Sequence, residues 1–440
     1  MSHDVIIVGA RCAGASLAAL LARRGLQVLV LEGGDLGTDM PMSTHFMQPP
    51  CMDVLDEIGL GEKVRACTPA SRVGRYRMGT HDVYGPFPEG RPGYCIRRST
   101  IDPMLQEAAR EAGAELRDRH RVVDLLKDRE RVTGVVVETP VGREQLRARL
   151  VVGADGRKST VARLAGVEEY LTFPMPRAPH WFYIETPKIW SEDERFAGWD
   201  GGVLWEGQDL RYVFQCDGDT MILAAAPPLA LGNSWGKDAT QKTIEYLRGS
   251  EVTRPLMDAG KPLGKTVGLV KANFFYRRPV GPGFALVGDA GNFKDYVTGH
   301  GMADAFLSAR RMSKAILLDT ETAYERYWRE RDVETLPLYF DAIRMGEVEF
   351  NDPFTRELFA VVKGSEELST RFGEVANRTL HPFEAFSMKE MMSVLLHGLL
   401  RGRFGALGAF MATGKRMQGF AEELRRRKDL LDACPRLAAT

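Results

Sequence analysis

The chain contains 440 residues, a length that predicts two or three domain-sized units. Hydrophobic residues make up 44% and charged residues 27%, which excludes a disordered, collagen-like or disulfide-stapled chain. Lysine plus arginine and aspartate plus glutamate both total 59, so a net charge of zero provides no bulk attraction to nucleic acid, and none is expected as a partner.

The N-terminus and the cysteines favour a cytoplasmic protein. The first residues, Met1 to Asp4, lack the basic segment of a secretory signal, and no run approaches the roughly 20 apolar residues of a membrane span. We expect free thiols and no metal site, because the cysteines are dispersed, without a CxxC pair or histidines at zinc spacing. They are Cys12, Cys51, Cys67, Cys95, Cys216 and Cys434.

The first elements form a βαβ unit. Residues 4–8 are an apolar, β-branched run that stops at Gly9, which is typical of a strand buried on both faces of a parallel sheet. Residues 13–24 carry alanine and leucine at helical spacing before Gly25, and predict a helix with a glycine C-cap. Residues 27–32 predict the second strand, which a right-handed crossover joins to the first.

The pattern changes in the middle of the chain. A helix over 100–113 and a strand over 148–152 are followed by aromatic-rich runs, with the hairpin signal Asp217-Gly218 between the last two. These runs cover residues 180–185, 210–215 and 220–224. We therefore expect an antiparallel sheet inserted into the α/β chain. Residues 284–288 return to the buried parallel-strand pattern, a helix follows to about residue 318, and the rest is mainly helical.

A glycine-rich loop, Gly9-Ala-Arg-Cys-Ala-Gly14, connects the first strand to the first helix. Gly9 permits a tight turn, and Gly14 allows the helix to pack close to the strand. The helix N-terminus offers unpaired N–H groups to a pyrophosphate, while Glu32 is placed to accept hydrogen bonds from ribose hydroxyls. Arg11 replaces the middle glycine of the GxGxxG pattern, so its side chain either points away or lies along the ligand. The loop predicts a dinucleotide without separating NAD from FAD.

Two further motifs follow predicted strands. Asp155-Gly156 comes after the strand at 148–152, and by itself predicts only a turn. Gly288-Asp289-Ala-Gly291 comes next, and Gly299-His-Gly301 begins the following helix. The amides at that helix N-terminus are placed to stabilise negative charge on a ligand.

In this order the three motifs resemble the FAD-dependent oxidoreductases of the aromatic-hydroxylase type, or group A flavoprotein monooxygenases. This superfamily also includes geranylgeranyl reductases and flavin-dependent halogenases. The resemblance implies an α/β fold with a Rossmann-type FAD-binding domain, an inserted, mostly antiparallel substrate-binding sheet and a helical C-terminal region. The FAD-binding domain is expected to comprise residues 1–70, 93–166 and 283–320. The substrate-binding sheet comprises residues 71–92 and 167–282, and the C-terminal helical region comprises residues 321–440.

The resemblance also implies which residues bind FAD. At the pyrophosphate and adenosine they are Gly9, Arg11, Cys12, Ala13, Gly14, Glu32, Arg98 and Val122. At the ribityl chain and the isoalloxazine they are Gly288, Asp289, Gly299, His300, Gly301 and Met302. A thiolate at Cys12 is less favoured than a small packing residue, and His300 is expected to act through its backbone rather than its ring.

Catalytic candidates are fewer. His45 lies where the family chain passes near the flavin, and Tyr296 stands where the family often has the proline that borders the oxygen site. Phe293 likewise stands where the family often has histidine. Substrate-site candidates are five aromatic residues and two polar residues, Arg211 and Gln215. Because strand side chains alternate between the two faces of a sheet, at most half of the aromatic residues can face one pocket. The aromatics are Trp181, Phe182, Tyr183, Tyr212 and Phe214.

The segment from Met391 to Arg427 is apolar, glycine-rich and finally basic, at Arg425 to Lys428. One hypothesis is a helix on a membrane surface that gives access to a lipophilic substrate. The alternative is a helical cap packed on the body or on a partner in a homodimer, and the glycine spacing favours it.

These observations predict an FAD-dependent monooxygenase that uses NADPH or NADH and O2 to hydroxylate or epoxidise a small aromatic or lipophilic substrate. Only one dinucleotide fingerprint is present, so the nicotinamide donor is expected to bind transiently. The alternatives are a flavin-dependent reductase of the geranylgeranyl-reductase kind, a halogenase, and a non-catalytic escort protein of the same fold. The sequence lacks the paired Trp-x-Trp-x-Ile-Pro signature that would support a halogenase.

Overall fold

The computed structural model describes residues 3–40 and 43–432, without the side chains of residues 383, 417, 424 and 426–432. The predictions on Cys434 and on the side chains of Arg426, Arg427 and Lys428 therefore lie outside the described residues.

The strands of this part of the chain are β1 (His3–Val8), β2 (Val28–Leu31), β3 (Phe46–Met47), β4 (Ala70–Ser71), β5 (Val73–Met78), β6 (His81–Pro86), β7 (Gly93–Cys95), β8 (Glu115–Arg117), β9 (Arg121–Asp128), β10 (Arg131–Thr139), β11 (Gly142–Gly153), β12 (Glu169–Pro174), β13 (His180–Glu185), β14 (Gly201–Glu206), β15 (Asp209–Gln215), β16 (Thr220–Ala225), β17 (Val267–Gly268), β18 (Asn273–Arg277), β19 (Val280–Gly281), β20 (Phe284–Leu286) and β21 (Asn292–Phe293). The α-helices are α1 (Cys12–Ala22), α2 (Pro49–Glu57), α3 (Gly61–Cys67), α4 (Arg98–Glu111), α5 (Thr160–Leu164), α6 (Ile189–Glu192), α7 (Leu229–Ser234), α8 (Ala239–Arg248), α9 (Thr253–Ala259), α10 (Gly301–Leu318), α11 (Glu321–Gly346), α12 (Pro353–Lys363), α13 (Glu366–Ala376), α14 (Met388–Leu400) and α15 (Gly405–Asp432).

A parallel sheet with the strand order β20-β11-β1-β2-β8 forms the first layer. β1 lies between β11 and β2, and Val8 is in register with both Gly153 and Leu31. Gly153 is in turn opposite Leu286 of β20. The carboxyl ends of four strands therefore meet at one edge, and the predicted motifs follow three of them.

The two faces of this sheet are covered differently. Val5 and Ile7 of β1 pack with α1, α4 and α10, whereas Ile6 and Val8 pack with the antiparallel strands β9 and β10. The β9–β11 meander was not predicted, because β11 is twelve residues long and only its apolar end resembles a buried parallel strand. Its polar beginning pairs with β10.

A seven-stranded sheet with the order β17-β13-β16-β15-β14-β5-β6 forms the second layer. All its strand pairs are antiparallel except β14 with β5, which confirms a mostly antiparallel sheet. Trp181 and Tyr212 lie on one face, and Phe182 and Val213 lie on the other.

The C-terminal helices α11 and α12 pack against the Tyr212 face of this sheet, while α8 and α9 cover the opposite face. The mixed α/β fold with a helical C-terminal region is confirmed. Within the described residues, no helix combines the length and the apolar character needed to cross a bilayer.

Candidate functional site

The first motif is a tight backbone cradle. Gly9 has a φ of +103°, and a Cβ added there would lie 2.5 Å from the carbonyl oxygen of Ala154. A Cβ on Gly14 would overlap the carbonyl oxygen of Gly9. Both positions therefore require glycine, for the two reasons expected from the sequence.

All three motifs converge at this edge of the sheet. The cradle of Gly9 touches the second motif through Ala154. A Cβ on Gly288 would lie 3.0 Å from the Cβ of Ala13, so the third motif touches the first. The amide of Gly288 donates to Ser308 Oγ at 2.9 Å and thereby fastens the third motif to α10.

The second motif has a local role. Asp155 accepts hydrogen bonds from the amides of Thr160 and Val161 and from Ser159 Oγ. Ser159 itself caps α5 through the amide of Ala162 at 3.0 Å. The turn predicted at Asp155-Gly156 is thus a helix-capping device beside the cradle.

Glu32 lies at the end of β2, where the sequence placed it. Its Oε2 accepts the amide of Ala10 at 3.0 Å, and its Oε1 accepts the amide of Gly34 at 3.3 Å. Val122 is buried on β9, just beyond His120, whose amide donates to the Glu32 carbonyl oxygen at 2.9 Å. Glu32 and Val122 therefore share one end of the cradle.

Arg11 is the N-cap residue of α1, and its Nη1 is buried without a hydrogen-bond partner among the described residues. A buried, unpaired guanidinium nitrogen at a helix N-terminus suits an anionic ligand. Arg11 thus adds a positive charge at a position where the GxGxxG pattern has a glycine and offers only backbone groups to the ligand.

Cys12 and Arg98 meet through a residue that sequence reasoning missed. Arg98 donates from Nε and Nη2 to the two carboxylate oxygens of Asp102, both at 2.8 Å, and Cys12 Sγ lies 3.5 Å from Asp102 Oδ1. Burial raises the pKa of the Cys12 thiol well above its ordinary value, so Cys12 is a packing residue and not a thiolate. Gln106, also missed, donates to the Ala10 carbonyl oxygen at 3.0 Å. The i, i+4 spacing of Arg98, Asp102 and Gln106 on one helix is the sequence pattern that could have indicated that these side chains share one face toward the cradle.

Beyond the cradle, residues 44–48 pack against the loop 297–300. Gln48 Nε2 donates to the Thr298 carbonyl oxygen at 3.3 Å, and Gly299 adopts the left-handed conformation with a φ of +67°. Four polar atoms of these segments are buried without partners in the described part of the chain: His45 Nδ1, Gln48 Oε1, Thr298 Oγ1 and His300 Nδ1. Buried polar groups are normally paired, so this cluster indicates a polar ligand edge.

Asp289 accepts no hydrogen bond from the described residues, and burial raises its pKa to about 6. Behind it lies a buried ion triad, in which Asp304 pairs with Lys294 at 2.7 Å and with Arg378 at 2.8 Å. Burial lowers the pKa of Lys294 to about 8, whereas the two cations overcome burial and lower the pKa of Asp304 to about 2.

His300 precedes α10, and Gly301 and Met302 form its first turn. Burial, with Arg378 and Lys294 nearby, holds the pKa of His300 well below its ordinary value. Its Nε2 lies 3.3 Å from the Ala376 carbonyl oxygen. The ring is therefore neutral and committed to a structural contact, while the space at Gly301 is open.

His45 is fully buried with a φ of +58°, and its Nε2 contacts the Tyr183 hydroxyl. Burial lowers the pKa of His45 to about 3, so its ring is neutral at pH 7.

Next to His45, Cys95 Sγ lies 3.6 Å from the Thr44 carbonyl oxygen and 3.2 Å from Cys216 Sγ. Cysteines that are dispersed in the sequence are thus paired in space as free thiols.

A cavity opens between this loop and the second sheet. Thr298, Gly299 and His300 form part of its wall, and eleven of the other lining residues are aromatic. The aromatic residues are Phe46, Tyr76, Phe87, Trp205, Tyr212, Phe214, Phe350, Phe354, Phe359, Phe372 and Phe386.

Asp341 and Arg344 of α11 are the acidic and basic side chains in this wall, among the residues that the structure describes. Arg344 donates to Thr413 Oγ1 at 3.0 Å and to Thr355 Oγ1 at 3.1 Å. Asp341 accepts no hydrogen bond there, and burial raises its pKa to about 6, with Arg344 limiting the rise. Sequence reasoning missed both residues, since nothing in a long C-terminal helix indicates which turn faces a cavity.

Two sequence candidates do not face the cavity. Arg211 lies on the opposite face of the sheet, where it pairs with Glu206 and Asp209 and stacks on Tyr246. Gln215 accepts the indole N–H of Trp190 there. The expectation that Arg211 and Gln215 are polar handles of the pocket is therefore corrected, because strand alternation points them away from it.

The aromatic candidates divide in the same way. Tyr212 and Phe214 line the cavity, and Phe182 lies on the opposite face. Tyr296 is half-buried, and its buried hydroxyl has no hydrogen-bond partner among the described residues. Its ring lies 5.9 Å from that of Trp181 and 6.2 Å from that of Tyr212. Tyr296 thus stands behind the cavity wall rather than in it.

The residues present fit the FAD that the sequence resemblance implies. Among the described residues, no N-cap side chain bonds the first turn of α1, Nη1 of Arg11 has no hydrogen-bond partner, and Asp289 accepts no hydrogen bond. Within the described residues, no group of three or more histidine, cysteine or acidic side chains is arranged to hold a metal ion.

Comparisons with known proteins agree with this fit. Residues 2–192 match the family described as FAD binding domain. Digeranylgeranylglycerophospholipid reductase 2 of Methanococcoides burtonii is 26% identical over 362 residues, which cover 74% of this chain and 80% of the reductase. The 12-dehydrotetracycline 5-monooxygenase/anhydrotetracycline 6-monooxygenase of Streptomyces rimosus is 33% identical over 186 residues, or 42% of this chain and 36% of that enzyme.

A solved structure shows the same fold over most of the chain. The flavin-dependent brominase Bmp2 superposes with a TM-score of 0.73 at 17% identity, covering 91% of this chain and 100% of the brominase chain. The brominase shows the fold, while the family match and the two relatives bear out the superfamily inferred from the three motifs.

Proposed function

Because the chain is an FAD-dependent oxidoreductase of the aromatic-hydroxylase type, we propose that it is a monooxygenase that uses NADPH or NADH and O2. The substrate of this proposal is a small aromatic or lipophilic molecule held in the cavity, which is hydroxylated or epoxidised. The dispersed free cysteines among the described residues favour the cytoplasm as its location.

The observation that carries the proposal is the continuity between the cavity and the loop 298–300. In the family this loop borders the isoalloxazine, and here the same backbone forms the cavity wall. A substrate in the cavity would therefore lie against the reactive part of the cofactor. The division of the chain into an FAD-binding domain, a substrate sheet and C-terminal helices belongs to the same proposal.

When bound, FAD supplies the transfer of electrons from the nicotinamide to O2. The residues of this chain position the reactants and exclude water. The cradle around Gly9 and Gly14 would hold the pyrophosphate, and the N-terminus of α10 would stabilise negative charge on the ring. The aromatic wall would keep water from the reacting atoms.

Asp341 and Arg344 would orient the substrate within the apolar wall. With a pKa of about 6, Asp341 is largely ionised at pH 7 and would accept a hydrogen bond from a substrate hydroxyl or amine. A buried carboxylate with no partner is costly, so a polar substrate group that pairs with it would gain specificity. The proposed substrate thus combines an apolar body with one hydrogen-bond donor.

The test is oxygen consumption by the FAD-loaded protein in the presence of NADPH or NADH. With polycyclic phenols and prenyl lipids as probes, we expect one probe class to raise nicotinamide oxidation and O2 uptake together and to yield a product with one added oxygen atom. Leu358→Trp, which fills the cavity wall, should reduce this stimulation at least about tenfold, whereas Leu317→Trp on the surface should leave it unchanged.

A second candidate is a flavin-dependent reductase, which the similarity to the Methanococcoides burtonii reductase over 74% of the chain favours. Anaerobic formation of a product with two added hydrogen atoms and no O2 uptake would replace the monooxygenase by this reductase. A halide-dependent product would indicate a halogenase, and a preparation that never retains flavin would indicate an escort protein.

A further inference from the structure

The helix α14, the turn that follows it and the start of α15 carry seven apolar side chains, each between 44% and 79% exposed. On α14 these side chains recur every four residues, close to the spacing of one helix face. This outer stripe consists of Met388, Met392, Leu396 and Leu400 on α14, Phe404 in the turn, and Leu407 and Met411 on α15. A helix on a water-facing surface normally carries polar residues there.

The inner side of the same helices is already packed. Val394, Leu395 and Ala406 form a buried cluster with Phe354 of α12. A Cβ on Gly398 would lie 3.3 Å from the Cβ of Ala406, so the two helices approach closely there. The outer stripe is therefore not needed to hold the helices on the body.

The glycines of residues 391–427, whose spacing favoured a packed helical cap, differ in how closely other atoms approach them. Gly398 makes the close contact expected of a small residue between helices. An added Cβ on Gly402, Gly408, Gly414 or Gly419 would meet no described atom within 4 Å. Close packing thus accounts for the inner contact alone and leaves the outer stripe without a partner in the described chain.

The charges around the stripe are basic. Residues 387–416 contain five lysines and arginines against one glutamate. Glu390 is paired with Arg371, while Arg403 and Arg416 are paired with Glu357 and Glu347. The cations without an acidic partner among the described residues are Lys389, Arg401 and Lys415.

We propose that the outer stripe docks on the surface of an anionic lipid bilayer. The apolar side chains would enter the boundary between headgroups and acyl chains, and the three unpaired cations would face the anionic headgroups. A second copy of the chain fits less well, because a two-fold contact through the stripe would bring the unpaired cations of both copies to one interface.

Docking of the outer stripe would also place the cavity close to the bilayer surface. Met391 of α14 and Thr413 of α15 line the cavity, so the helices that meet the bilayer also form part of its wall. A lipophilic substrate would reach the cavity from the lipid phase without crossing water. This last step rests on the proposed function, whereas the docking itself does not.

The experiment is flotation of the FAD-loaded full chain with vesicles of phosphatidylcholine alone or mixed with phosphatidylglycerol. We expect binding to the mixed vesicles that weakens as salt is added. Leu400→Ser combined with Phe404→Ser should reduce the bound fraction about tenfold or more, because two exposed apolar side chains leave the boundary. Leu317→Ser combined with Leu318→Ser, two exposed leucines at the end of α10, is the matched control and should bind normally.

Arg401→Glu tests the charges separately and should weaken binding to mixed vesicles about fivefold or more. Circular dichroism and flavin content establish that each variant is folded. Failure to float at low salt, or equal flotation of the stripe variant and its control, would overturn the proposal. A dimer in light scattering that becomes monomeric in the stripe variant, without vesicle binding, would assign the stripe to a second copy instead. Since flotation requires no turnover, its failure is distinct from failure of the monooxygenase proposal.

Discussion

Single buried residues show how the site is held ready for a ligand. Asp295 is the clearest case outside the cradle, since it is 1% exposed and its Oδ2 has no partner in the described chain. Its Oδ1 accepts the amide of Val297 at 3.0 Å and so shapes the turn that leads into the loop 297–300. Burial raises the pKa of Asp295 to about 7, and Arg177 is the nearby charge that opposes the rise.

This carboxyl group predicts a pH-dependent stability. In the unfolded chain it loses its proton near pH 4, but in the folded chain it keeps the proton until about pH 7. Between pH 5 and pH 8 the folded protein should therefore lose about 3 kcal/mol of unfolding free energy on account of Asp295. Urea unfolding at the two pH values should show a loss that is smaller by about 3 kcal/mol in Asp295→Asn than in the unaltered chain, because Asp289 and Asp341 still contribute to the loss in the variant. Asp128→Asn on the surface is the control, and an equal loss in Asp295→Asn and the unaltered chain would contradict this account.

At the scale of elements, the position of α1 is set by contacts that admit no side chain. Gly14 lies in the first turn of α1, and a Cβ there would overlap the Gly9 carbonyl oxygen. The helix can approach β1 this closely only because both residues are glycine. The same approach brings the helix N-terminus to the cradle.

Gly14→Ala is therefore expected to push α1 away from β1. The predicted result is a loss of about 1–3 kcal/mol in unfolding free energy and at least about tenfold weaker FAD binding. Flavin fluorescence titration of the apoprotein measures the second effect. Gly408→Ala, in α15, where an added Cβ would meet no described atom within 4 Å, should instead leave FAD binding unchanged and stabilise its helix by up to about 1 kcal/mol. Normal FAD binding by Gly14→Ala would refute the role assigned to Gly14.

At the scale of the whole molecule, one clamp joins the α/β layer to the second sheet. Asp217, at the turn between β15 and β16, accepts the amide of Arg97 at 2.7 Å and its Nη2 at 2.9 Å. It also accepts Thr100 Oγ1 at 2.6 Å. Burial opposes ionisation, but the hydrogen bonds from Arg97 and Thr100 outweigh it and hold the pKa of Asp217 below its ordinary value.

Asp217→Ala should loosen this junction. We expect a loss of about 2–4 kcal/mol in unfolding free energy at pH 7, since a buried acceptor of several hydrogen bonds is removed. The lowered pKa means that the clamp also weakens as the pH falls below its ordinary value near 4. Hydrogen exchange at residues 97–100 and 216–220 measures the loosening, and exchange as slow as in the unaltered chain would contradict the clamp. Asp219→Ala at the exposed turn is the control.

The sequence by itself determined the α/β fold, the inserted sheet, the helical C-terminal region and the superfamily. These features depend on local patterns, such as the apolar run of β1, the glycines around α1 and the turn at Asp217-Gly218. Each is written in consecutive residues, because buried strands, helix starts and hairpins impose their requirements within a few positions of the chain.

Only the tertiary structure decided which side chains share one space. It paired Cys95 with Cys216, placed Asp102 behind Cys12, turned Arg211 away from the cavity and brought Asp341 into it. It also separated the inner contact at Gly398 from the exposed stripe of α14 and α15. These relations join residues far apart in the chain, and they depend on the strand order of the sheets and the packing of helices on them, which local sequence patterns do not encode.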